Sequence, residues 1–268
     1  MEPLVTQTIE TSISSETAVG MNRFYGLAKH QAWNVPDLSW NSIAPIPDGN
    51  ASSAKRERRQ AMWRSVVTQQ LQADELAVQA SVQLLTTAAD SEARLYYSTM
   101  TQDEARHYEA WSRLTTLIGG TCEPDPYLIE LGKMVMSVDT VEEKVWLFQV
   151  TFEGLVIPRF RQIAAAAPNT ILAEICNKLT IDDGIHHGAG MCYEKLLLSR
   201  TTSRIKRRIE KLSEQMWPVY VQHVLWRPRE RAIASSLMQD YDTKMILGHK
   251  ASVMKMAAAF DLDFNLDN

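Results

Sequence analysis

Apolar residues recur at spacings of three and four through most of this chain, the period of a helix with one buried face. Between Arg56 and about Thr87 the stripe is Val67, Leu71, Val78, Val82 and Leu85. A second helix is predicted from Asp90, a good N-cap, to about Ile118, where Gly119-Gly120 stop it. A short helix near Asp125–Met136 leads to a third long one, capped by Asp139 or Thr140 and favourably charged at its start by Glu142-Glu143. That helix carries Trp146, Gln149, Val150, Glu153, Val156, Ile157 and Phe160 on one face. Pro158 has no N–H to return to the carbonyl of Gly154, so a bend or bulge is expected beside Glu153. A fourth long helix is predicted over about 170–198, and two more near 201–224 and 229–258, punctuated by Pro218 and Pro228. Residues 1 to about 20 are polar and read as a frayed terminus. Residues 21–54, with Trp33, Pro36, Trp40, Pro45 and Pro47, read as an irregular arm laid over the core. The expected organisation is an arm over 1–54, one helical domain over 55–260 and a tail over 261–268, with an all-α fold.

The chemistry lies in a pattern that occurs twice. Glu75 is followed by Glu104-Ala105-Arg106-His107, and Glu153 by Asp183-Gly184-Ile185-His186. The midpoints of the two intervals fall in turn-like segments, Ala88-Ala89-Asp90-Ser91 and Pro168-Asn169-Thr170. Residues equidistant from the turn of an antiparallel helix hairpin lie level with one another. Each half therefore sets an acidic residue beside an acidic-x-x-His pair, whose side chains share a helix face. Two such hairpins packed together converge four carboxylates and two imidazoles, the ligand set of a dinuclear carboxylate-bridged metal site. Glu75 shares the stripe of Val67 and Leu71, whereas Asp74 is turned about 100° from it, so Glu75 is the expected ligand. The flanking Leu71, Val78, Val150, Val156 and Ile157 imply that these faces are buried. Buried carboxylates in such proximity demand cations. Oxygen-rich ligation with two imidazoles suits iron or manganese better than zinc.

Composition narrows the setting. Apolar residues make up 45% and charged residues 22%, which is ordinary for a soluble globular protein. A formal charge of −4 argues against nucleic acid as the principal ligand. Cys122, Cys176 and Cys192 are widely spaced and suggest neither a disulfide framework nor a thiolate zinc site. The chain opens with no basic segment leading into an apolar one and holds no run of about 20 apolar residues, so a cytoplasmic protein without membrane contact is expected. The one basic run, Arg204 to Lys211, is either a solvated helix face or a dock for an acidic electron-transfer protein.

Asp103-Glu104-Ala105-Arg106-His107 resembles the D-E-x-R-H signature of ferritin-like diiron carboxylate proteins. That superfamily includes bacterial multicomponent monooxygenases, acyl carrier protein desaturases, the radical-generating subunit of ribonucleotide reductase with its ligand-binding oxidase relatives, and arylamine N-oxygenases. Asp182-Asp183-Gly184-Ile185-His186, with Gly190 four residues on, resembles the second copy, and Phe152-Glu153-Gly154 the ligand segment of the third helix. The resemblance spans roughly residues 60–200. It implies a ferritin-like four-helix bundle, extended by the arm and two C-terminal helices. It implies Glu75, Glu104, His107, Glu153, Asp183 and His186 as metal ligands, with Glu104 and Asp183 as bridges. Asp103 and Asp182 would accept the free N–H of a ligand histidine, with Arg106 in the same ion-pair network; otherwise the two aspartates are surface groups.

Departures from the pattern are Asp183, where most of these families have Glu, and Leu179, where arylamine N-oxygenases carry a further histidine. His187 is either an extra ligand or a packing residue.

The activity implied is O2-dependent oxidation of a small to medium-sized, largely apolar organic substrate by two iron ions, or a Mn/Fe pair, supplied with electrons by a ferredoxin or reductase. Glu104, Glu153 and Gln149 would stand at the reacting centre. The cavity is expected between the four long helices, with Trp146, Phe148, Phe152 and Phe160 available to it. Gln149 either lines that cavity or satisfies a buried backbone group. A homodimer is expected. The alternatives are a ferritin-like iron-storage or peroxide-scavenging protein and a Mn/Fe ligand-binding oxidase.

Overall fold

Two antiparallel helix hairpins make the centre of the protein. The computed structural model describes residues 15–42, 52–226 and 241–267. Helix α2 (Ser53–Thr87) turns at Ala88–Asp90 into α3 (Ser91–Leu117). The third long helix is composite: α5 (Val141–Lys144), a π-helical segment (Val145–Phe152) and α6 (Glu153–Ala166) follow one another without a break. It turns into α7 (Thr170–Arg200), whose first turn is capped by Asn169 Oδ1 accepting from the Leu172 N–H at 3.0 Å. Thr140 and Glu143 close a reciprocal capping box at the start of α5. The short α4 (Pro126–Ser137) crosses between the hairpins, α8 (Ser203–Leu225) packs on it, and α9 (Tyr241–Ala259) lies against α8 and α6. The described residues contain no strand, and none of their helices is long and apolar enough to cross a membrane.

The arm is not irregular throughout. Ser15–Gln31 forms a helix, α1, packed against α3 and α7 with Met21 and Ala28 buried. Two glycines allow the close approach: a Cβ on Gly20 would lie 2.8 Å from Cys192 Sγ, and one on Gly188 3.0 Å from the Phe24 ring. Beyond α1 the chain is irregular as expected, with short 3-10 turns at Val35–Asp37 and Trp40–Ser42 and with Trp33 and Trp40 buried. Residues 1–14, Pro45, Pro47 and Pro228 lie outside the described residues. At the other end the tail is part of the core. Leu262, Phe264 and Leu266 are buried while Asp263 and Asn265 face out, and Trp146 meets the rings of Phe260 and Phe264 edge-on at 5.7 and 6.3 Å.

The basic run is partly structural: Arg208 pairs with Asp139 at 2.9 Å and Glu143 at 2.6 Å, tying α8 to the capping box.

The apolar core comes in two layers. One gathers Trp63, Val67, Trp111, Leu114, Phe160, Ile175 and Leu179. The other gathers Ala77, Leu84, Tyr96, Met100, Trp146, Val150 and Tyr193. On each long helix, the residues between these two sets are charged or polar and buried: Asp74, Glu104, His107, Glu153, Asp183 and His186. The bundle thus sandwiches one charged layer between two apolar ones.

Candidate metal centre

The charged layer is built by side chains that face each other across the hairpins. His107 Nδ1 lies 3.4 Å from Glu104 Oε2 and 3.8 Å from Asp183 Oδ1. His186 Nδ1 lies 3.1 Å from Glu104 Oε1, 3.6 Å from Asp183 Oδ1 and 3.8 Å from Glu153 Oε1. Ligand atoms of Glu104, Glu153 and His186 all fall within 4.8 Å of one another. Both imidazoles are fixed from behind. His107 Nε2 is 3.0 Å from Asp182 Oδ2, and His186 Nε2 is 3.3 Å from Asp103 Oδ2. With Nε2 of each ring engaged by these aspartates, it is the Nδ1 atoms that face the carboxylates. Asp182 is itself anchored by the Trp33 indole N–H at 2.7 Å and by Arg106, which also binds Asp103 at 2.6 Å. Arg106 lies over the Trp33 ring, 4.8 Å from its centroid. The surface alternative for Asp103 and Asp182 therefore falls, since both are buried against His186 and His107.

Glu75 is not in this layer. It is exposed, and the buried carboxylate of α2 is Asp74. The apolar stripe misplaced the inner face by about one residue because α2 faces the centre with small and polar side chains: Gln70, Asp74, Ala77, Ala80 and Ser81. The larger Leu71, Val78 and Leu85 are only half-buried, and Val82 is exposed.

Gln149 takes the second of its two expected roles. It accepts from the Tyr97 hydroxyl at 2.7 Å and donates to the His186 carbonyl at 3.2 Å, and it lies outside the cavity wall. Its Cβ also packs on Gly190, where an added Cβ would come within 2.5 Å. His187 is a packing residue. Its Nδ1 lies 3.3 Å from the carbonyl of Gln149 inside the π-helical segment, and its ring fills the space over Gly154. The expected bulge occurs upstream of Glu153 rather than after it. The π-helical turns frustrate the usual backbone pairing, and the N–H of Glu153 bonds to the Phe148 carbonyl.

Electrostatics demand a cation here. Burial works against charge on His107, but hydrogen bonds to Asp182 and Glu104 prevail and push its pKa well up. For His186, burial is likewise outweighed by its neighbours, Asp103 and Glu104 among them. Glu104 is held down to about 2: burial opposes this, and both histidines override it. The other three carboxylates go the opposite way. Burial, then repulsion from Glu104, pushes Glu153 up to about 7. Asp183 is raised by burial and then by Glu153, and Asp74 by burial together with Glu104 and Glu153 against the pull of His107. Four carboxylates thus exceed what two imidazoles can balance, and the upward shifts of Asp74, Glu153 and Asp183 express that excess of negative charge. Glu104 Oε1 and His186 Nδ1 face each other at 3.1 Å without hydrogen-bond alignment, and Asp74 Oδ2 is buried with no hydrogen-bond partner. Orphaned lone pairs converging on an anionic centre are what a pair of divalent ions would satisfy.

A cavity with about 110 Å³ of water-accessible space, continuous with solvent, adjoins this layer. Asp74, Glu104, Glu153 and Asp183 form part of its wall, and Ala77, Leu76, Leu131, Val135, Phe148 and Phe152 make it largely apolar. Of the four aromatics expected in it, Phe148 and Phe152 are present, while Trp146 packs on the tail and Phe160 on Trp111. The wall is completed from α4 and α8 instead, a contribution with no local signature in the sequence.

No protein-family model matches the chain, and no curated protein matches it. Solved structures do. R2-like ligand-binding oxidase with an aerobically reconstituted Mn/Fe cofactor shares the fold at a TM-score of 0.67, with 17% identity over 99% of both chains. A point mutant of such an oxidase with an anaerobically reconstituted Mn/Fe cofactor gives 0.68, at 17% identity over 97% of this chain and 96% of that one. Another mutant, with an Fe/Fe cofactor, gives 0.65 with the same identity and coverage. At this identity the likeness is one of fold: the described residues share the ferritin-like helical architecture of these oxidases.

Proposed function

We propose that the chain is an O2-dependent oxidoreductase holding two metal ions, Fe/Fe or Mn/Fe, through Asp74, Glu104, His107, Glu153, Asp183 and His186. The observation that carries this reading is the shared wall: four carboxylates of the charged layer border a largely apolar cavity. A bound metal pair supplies the binding and reduction of O2. The protein's own part is positional. Asp103 and Asp182 fix the imidazoles, the apolar layers on either side exclude water, and the cavity holds an organic molecule against the centre for hydroxylation, desaturation or N-oxygenation. Electrons come from an external donor protein. The metal pairs carried by the structural neighbours agree with this assignment. An iron-storage role has no use for an apolar cavity beside the ligands.

Anaerobic loading with Fe(II) should give two metals per chain. Admission of O2 and reductant in the presence of organic metabolites should consume O2 and yield an oxidised product detectable by mass spectrometry. Uptake of many irons per chain with no organic product would instead establish storage.

A further inference from the structure

The cavity has a second polar end, unrelated to the charged layer. Arg159 lies six residues beyond Glu153 on α6, about 9 Å further along the helix axis. It is buried and lines the cavity. Its Nη1 donates to His223 Nε2 at 3.0 Å and its Nη2 to Gln69 Oε1 at 2.8 Å. Both acceptors are tied to one carboxylate behind them, because His223 Nδ1 and Gln69 Nε2 bind Asp125 Oδ2 at 2.8 and 2.9 Å. Asp125 is fully engaged: its other oxygen caps α4, accepting from the N–H groups of Tyr127 and Leu128. The guanidinium is therefore positioned by neutral groups, and among the described residues no carboxylate pairs with it directly. Its Nε is buried with no hydrogen-bond partner. Burial, with the charge of Arg159 adding to it, holds His223 below its ordinary pKa, so that its Nε2 stays an acceptor.

A buried cation is costly unless an anion meets it, and a guanidinium with free N–H groups is suited to a carboxylate. We propose that Arg159 is the anion-recognition group of this cavity. Its ligand is an apolar carboxylic acid whose carboxylate pairs with the guanidinium and whose hydrocarbon body lies along Leu76, Leu128, Leu131 and Phe152 toward the charged layer. That this acid is the molecule oxidised rests on the oxidase reading above; that it binds does not.

The test compares 4-phenylbutyrate with its neutral amide by calorimetric titration, using the metal-free protein and the protein loaded with Mn(II). The parent should bind the acid at least about tenfold more tightly than the amide in both forms, as expected of one charge-assisted pair. Arg159→Met should abolish the preference, and Arg159→Lys, which keeps the charge, should retain part of it. The proposal is overturned if the preference arises only after Mn(II) loading, since the carboxylate would then be sitting on the metals. It is equally overturned if both variants keep the parental preference, or if neither probe binds. Loss of O2 consumption with an intact acid preference would remove the oxidase assignment and leave this site standing; oxidation of neutral molecules with no acid preference would do the reverse.

Discussion

Asp182 holds the histidine of the other hairpin: its Oδ2 lies 3.0 Å from His107 Nε2. Asp103 returns the arrangement across the bundle, 3.3 Å from His186 Nε2. The aspartate that begins each acidic-acidic-x-x-His run thus serves the opposite run, so neither histidine can be oriented until both hairpins have packed. Asp182→Asn and Asp103→Asn should each lower metal affinity by about 10- to 100-fold with little change in helix content. Titration against a chelator of known affinity measures this. Unchanged affinity in both variants would show that the imidazoles need no such support.

Asp74 and Glu75 separate cleanly by experiment. Asp74→Ala should reduce bound metal well below two per chain, since it removes a buried carboxylate from the charged layer. Glu75→Ala changes an exposed side chain and should leave the metal content unaltered. Elemental analysis of protein loaded with Fe(II) under anaerobic conditions distinguishes the two, and the opposite result would restore Glu75 as the ligand.

That pair also shows how far the sequence could be read. The convergence of Glu104, His107, Glu153, Asp183 and His186 on one layer was legible because hairpin symmetry relates positions along the chain to height in the bundle. Height did not give the rotation of α2, because between Val67 and Leu84 the face it turns inward is made of small and polar residues and the bulkier apolar ones flank it. Helix α1 was hidden for a related reason. Gly20 reads as a helix breaker but serves a close helix contact, and only Met21, Phe24 and Ala28 hint at a buried face. The alternation Leu262, Phe264, Leu266 is the sequence signal of a strap with one buried face rather than a free tail. The cluster of Gln69, Asp125, Arg159 and His223 had no such signal, since four separate elements contribute one residue each.

Two glycines on α7 should respond to alanine in opposite directions. A Cβ on Gly190 would lie 2.5 Å from Gln149 Cβ and 3.2 Å from its carbonyl carbon, so backbone must move. Gly190→Ala should cost ~1–3 kcal/mol. Gly184 has nothing within 4 Å of an added Cβ, and alanine there should stabilise the helix by about 1 kcal/mol. Urea unfolding of the metal-free variants gives both values. A stable Gly190→Ala protein would mean that the π-helical segment and α7 are packed less tightly than their geometry indicates.

Glu194 supplies a pH dependence independent of metal. It is completely buried on α7, and neither carboxyl oxygen has a hydrogen-bond partner. Burial, then repulsion from Glu142, raises its pKa well above the ordinary carboxylate value. Tyr97 is the other titratable group in electrostatic contact with it. Below an ordinary carboxylate pKa of about 4.3, folded and unfolded chains both carry the proton. As pH rises beyond that point the unfolded chain releases it and the folded protein keeps it, so stability falls until the folded pKa is passed. Glu194→Gln replaces the carboxyl with a neutral group of the same shape and removes this loss. Its Tm should therefore exceed that of the parent by a margin that grows between pH 5 and pH 8, measured on metal-free protein by differential scanning calorimetry. A margin that is constant across this range would show that Glu194 is ionised in the folded state, with its charge balanced by a group that these contacts do not include.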